Sequence, residues 1–132
     1  MSDPKNPFED LMKIGQDWAQ KMGAGPEAFS AENIEKLWPT MSKEMMESFM
    51  GKGANPEGLD SKTKLLLTLQ GLTIQGAVAE AQMRLTLRHL SEAGASTQEI
   101  HETIGLAGLF GGAPAMSKAM TLAAEVADGQ ES

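Results

Sequence analysis

The chain contains no cysteine. That excludes a disulfide framework, a thiolate nucleophile and any cysteine metal site, and it leaves the redox compartment unreadable from disulfides. Positive charge is also short: 11 Lys and Arg stand against 18 Asp and Glu, a formal net charge of -7 with a pI near 4.8. Binding to a phosphate backbone needs clustered basic residues, so nucleic acid is excluded as the expected partner. No run approaches the ~18 apolar residues of a membrane span. The start, Met1 to Asn6, has neither the basic residues nor the apolar stretch of a secretory signal. A cytoplasmic location is therefore the expectation. Period-two alternation, internal repeats and low-complexity tracts are absent as well, which removes the sequence signals of strands, solenoids and disordered linkers.

What remains is helical patterning in a chain of 132 residues, 41% hydrophobic and 22% charged, within the ordinary globular range. Asn6-Pro7-Phe8-Glu9 reads as a capped helix start, with Phe8, Leu11, Met12, Trp18 and Met22 on one stripe before Gly23. Ser30 caps a second helix carrying Ile34, Leu37 and Trp38, interrupted at Pro39. Met41, Met45, Met46, Phe49 and Met50 continue at helical spacing up to the stretch from Gly51 to Gly58, the most loop-like in the chain. The main internal boundary is placed there, giving an N-terminal helical extension over 1–55 and a helical domain over 56–132, together one compact unit.

Beyond the boundary, Asp60 caps a helix whose Leu65, Leu66, Leu67, Leu69, Leu72 and Ile74 leave little room for a solvated face, so this helix should be central. A break near Gln75-Gly76 precedes a second long helix from about Ala77 to Ala93, ended by Gly94. Ser96-Thr97-Gln98-Glu99 is a capping box for the next, whose Gly105 and Gly108 would let a neighbouring helix approach closely. Pro114 opens the last helix, which runs to Gly129. The fold class expected is all-α.

Three pieces carry a family resemblance: Leu59 to Leu65 leading into the buried helix, Ala93 to Ile100 as the turn into the next, and Gly111-Gly112-Ala113-Pro114-Ala115 before the last. In order and spacing, the stretch from Leu59 to about Val126 resembles the carboxymuconolactone decarboxylase family, which includes the alkylhydroperoxidase D-like proteins. The resemblance implies an alkylhydroperoxidase D-like helical hairpin core, assembled as trimers or hexamers with pockets between helices and subunits. Peroxidase-active members have a Cys-x-x-Cys-x-x-x-His motif on the helix before the turn. Counting back from Gly94, those positions hold Ala79, Gln82 and Thr86. The arginine that decarboxylase members place two residues before their histidine is matched by Arg84. Their acidic residue early in the buried helix would fall at Leu65 to Leu67. The resemblance thus carries the fold, while the acid or base that either reaction requires is missing from its place.

The remaining candidates follow from side-chain chemistry. His89 and His101 are the only histidines, too far apart in sequence and lacking shared acidic spacing for a metal site. His89 is a catalytic candidate together with Arg84, while His101, flanked by acidic residues, reads as solvated. Glu80 and Arg84 have the spacing of a helical ion pair. Alternatively, Arg84 binds an anionic group in an inter-helical pocket that Gln70, Gln82 and Thr86 line with it. The methionine cluster from Met41 to Met50 reads as adaptable packing or an interaction surface ahead of Cu(I) ligation. No cofactor is expected. The reading is a non-thiol oligomeric scaffold or a protein binding a small organic anion. The competing reading is a decarboxylase or lyase acting on a small organic acid, with Arg84 anchoring a carboxylate.

Overall fold

The computed structural model describes residues 38–129, together with Lys13, Ile14, Asp17, Glu35 and Lys36, which are helical. The helix expected from Asn6 to Met22 and the one capped by Ser30 otherwise lie outside the described residues. By contacts the chain divides into Met1–Leu37 and Trp38–Ser132. In the second unit five helices and no strand occur among the described residues: α1 (Lys43–Met50), α2 (Ser61–Ile74), α3 (Glu80–Glu92), α4 (Thr97–Gly111) and α5 (Ala113–Ala127).

Local chemistry sets most of their ends. Ser42 caps α1 by accepting from the Met45 N–H, so Met41 stays outside the helix that its spacing suggested. Asp60 caps α2 through the Thr63 N–H at 2.8 Å. That carboxyl is held below its usual range by hydrogen bonds from Thr63, side chain first and then backbone. At the other end of α2, Gly76 takes a φ of 103°, and the N–H groups of Gly76 and Ala77 close onto Thr73 and Leu72 carbonyls in a Schellman pattern. Ala77 follows at φ 55°, a left-handed conformation that no helix continues through, and α3 therefore starts at Glu80 rather than near Ala77. The same pattern recurs at Gly94, with φ 88° and Ala95 N–H on the Leu90 carbonyl. Ser96 and Glu99 form the full capping box of α4. A single non-helical residue, Gly112, separates α4 from α5, where Pro114 sits in the first turn.

Helix α2 is central and touches each of the other four. It runs beside α4 in parallel register: Lys62 Nζ lies 3.1 Å from Glu99 Oε2 near both starts, and Gly111 lies against Ile74 at both ends. A Cβ on Gly111 would fall 2.9 Å from the Ile74 Cα, so this glycine is what allows the two backbones to meet. Gly108 leaves room for the Met116 side chain of α5, whereas Gly105 faces open space. Leu69, Met83, Leu90, Ile104 and Ala119, from α2 to α5, are fully buried, and Met46 of α1 closes the core. Burying each of the Leu, Ile and Met side chains among them removes about 1.5–3 kcal/mol of unfavourable hydration.

Candidate functional site

The expected site lies on α3. Ala79 is the residue before its first turn, with φ -84° and ψ 72°, and offers no side-chain cap. Gln82 is exposed, and Thr86, one turn further on the same stripe, is buried. An aliphatic carbon, an amide and a hydroxyl at these positions supply neither a redox centre nor a group that exchanges protons near neutrality. Across on α2, Leu65 is buried and Leu67 exposed, so the positions where the family resemblance calls for a carboxylate are apolar throughout.

Arg84 lies 200° round the helix from Gln82, because two residues at 100° each turn the side chain to the opposite face. There it meets α5. Its Nη2 is 3.2 Å from Glu80 Oε1 and 3.8 Å from Glu125 Oε2, and Lys118 Nζ reaches Glu80 Oε2 at 3.0 Å. Two cations and two carboxylates thus form a chain joining α3 to α5. The Glu80 carboxyl is held below the usual glutamate range, chiefly by the Lys118 hydrogen bond and charge, with Arg84 adding to them against partial desolvation. One polar atom is left over: the Arg84 Nε is buried without a hydrogen-bond partner. Gln70 is half-buried on α2. Among the described residues no hydrogen bond joins Gln70, Gln82, Arg84 and Thr86 to one another.

His89 is buried and engaged at both ring nitrogens. Nδ1 lies 2.8 Å from the Leu85 carbonyl, which makes it the N–H donor, and Nε2 accepts from the Met41 N–H at 3.2 Å. The ring pins the chain ahead of α1 onto α3. Sequence reasoning had no signal for this contact, since 48 residues separate the partners. Glu47 was missed for the same reason. Its Oε2 accepts from the Lys52 N–H at 2.7 Å, while Oε1 accepts from the N–H and hydroxyl of Ser61.

His101 is exposed, as its acidic flanks suggested, and lines an open depression of about 520 Å³ with Thr97, Gln98 and Glu102. That depression sits at the start of α4, where the capping box already uses the Glu99 N–H and where Gln98 donates to Glu102. Among the described residues no three of His, Asp and Glu are grouped as a metal would require, and no helix is long and apolar enough to cross a membrane.

An all-α bundle built on a helical hairpin, with no thiol on the α3 stripe that the family resemblance singles out, defines the class. Residues 40–125 match the Carboxymuconolactone decarboxylase family, and the chain belongs to that family. The match begins ahead of α1 and runs into α5. The chain is also 45% identical over 119 residues to an uncharacterized 15.0 kDa protein in the nqo9-nqo10 intergenic region of Paracoccus denitrificans, covering 90% of this chain and 89% of that protein. Because 119 of 132 residues take part, this similarity extends well ahead of residue 40. No solved structure matches.

Proposed function

We propose that this family member is a non-thiol, homo-oligomeric scaffold, a trimer or hexamer working in the cytoplasm. The observation that supports it most directly is the surface of the unit beginning at Trp38. Leu106, Leu109 and Phe110 of α4, and Val78 in the turn before α3, stand open to water, and exposed apolar area of this extent is characteristic of interaction surfaces. The chemistry of α3 supports the same reading, since Ala79, Gln82 and Thr86 occupy the reactive positions and His89 spends both nitrogens on backbone groups. Native mass spectrometry of the untagged protein tests it: three or six copies with no retained small molecule is the expected spectrum, and a monomer overturns the reading.

A second reading, a small-molecule-binding protein or a lyase-type enzyme for a small organic acid, is favoured by one observation, the unpartnered Nε of Arg84. A carboxylate reaching that atom would satisfy it, while Gln82 and Thr86, on the opposite face of α3, would contact a different part of such a ligand, with Gln70 of α2 as the remaining candidate. The guanidinium already faces Glu80 and Glu125, which offset the charge that an anion would seek. A reproducible extra mass of a small acid, lost in Arg84→Ala, would establish this reading. Turnover unchanged in both Arg84→Ala and His89→Ala would remove it.

A further inference from the structure

We infer that the outer face shared by α2 and α4 is the surface on which a second copy of this chain docks. This rests on the self-association proposed above and specifies where it occurs. Along α2, Leu67, Gly71 and Ile74 recur at i, i+4 and i+7 and so line one stripe. Along α4, Leu106, Leu109 and Phe110 recur at i, i+3 and i+4. The parallel register fixed by the Lys62–Glu99 ion pair and the Gly111–Ile74 contact brings these stripes side by side. Their solvent exposures are 52% for Leu67, 40% for Ile74, 55% for Leu106, 79% for Leu109 and 76% for Phe110.

Three features select another copy as the occupant. The first is area. Five large apolar side chains at these exposures present on the order of 500 Å², at the top of what a monomer leaves to water and most of the ~800 Å² per partner in a standard interface. The second is charge. In a chain of net charge -7, none of the six positions is ionisable, so two copies meet here without opposing their carboxylates. At the edge stand Lys64, three residues before Leu67, and Glu102, four before Leu106. A rim with one charge of each sign around an apolar centre complements itself, whereas an anionic membrane surface asks for a basic rim. The third is room. Nothing lies within 4 Å of where a Gly71 Cβ would be, so an incoming side chain is able to seat against the α2 backbone at the middle of the stripe.

The absence of native cysteine makes the test direct. A single thiol introduced as Leu106→Cys is compared with Ser91→Cys, an exposed position on α3, for reaction with a maleimide probe at native and at denaturing urea concentrations. We expect the Leu106→Cys thiol to react at least tenfold more slowly in the native assembly and equally fast in urea. We also expect Phe110→Glu to yield a smaller species that keeps the wild-type helical circular dichroism. If the wild type is an oligomer but Leu106→Cys labels as fast as Ser91→Cys, the assignment of this face is overturned while self-association stands. A monomeric wild type overturns both.

Discussion

Glu47 of α1 accepts two hydrogen bonds from one residue, Ser61, at the start of α2: the hydroxyl at 2.7 Å and the backbone N–H at 3.1 Å, both on Oε1. Together with the Lys52 N–H on Oε2, this carboxylate closes the loop between the helices and satisfies a donor that a helix start leaves open. These bonds, from Lys52 first and then Ser61, hold the Glu47 carboxyl below the usual glutamate range. A depressed carboxyl contributes stability above its unfolded-state value and loses it as pH falls through the folded value. The expected outcome is that Glu47→Ala melts earlier than wild type at pH 7, with the difference closing in acid below the usual glutamate range. A constant difference across that range would contradict the assignment.

Two glycines of α4 should respond in opposite directions. Gly111→Ala drives a Cβ into the Ile74 backbone, where no flexible side chain is available to yield, and is expected to cost about 1–3 kcal/mol. Gly105→Ala meets nothing within 4 Å inside a helix and should stabilise by about 0.4–1 kcal/mol through the unfolded chain. Urea denaturation of both variants checks the sign.

His89→Ala removes the acceptor of the Met41 N–H and the ring that spans α3 and the chain before α1. The Met41 N–H is only half-buried and can turn to water, so the loss is expected to be about 1 kcal/mol for this bond. The loss should show as a lower urea midpoint, with amide exchange at Met41 quickened more than exchange in α4.

The charged chain between α3 and α5 should matter less than the core beneath it. Lys118 and Glu80 are both two-fifths exposed, and Lys118→Ala is expected to change stability by less than about 1 kcal/mol, with an effect that fades at high salt. Leu69→Ala in the fully buried centre of α2 should cost about 2–5 kcal/mol. Denaturation at low and high salt separates the two.

The sequence by itself determined the helices of the described unit and most of their ends, because caps and stops are made among neighbours in the chain. Asp60 with Thr63, Ser96 with Glu99, Gly94 at its left-handed turn and Pro114 in the first turn each act within a few residues. The family was legible for the same reason, since its signature is an order of such boundaries, and so was the loss of thiol chemistry, which composition alone decides. Tertiary structure decided which apolar faces are buried. Six apolar residues around α2 carry no period that marks Leu69 as core and Leu67 as surface, and only the packing of four other helices draws that line. It also decided the fate of Arg84 and His89. Their partners Glu125 and Met41 lie 41 and 48 residues away, and charge or hydrogen-bonding capacity says that a partner is needed without saying which one the fold will supply.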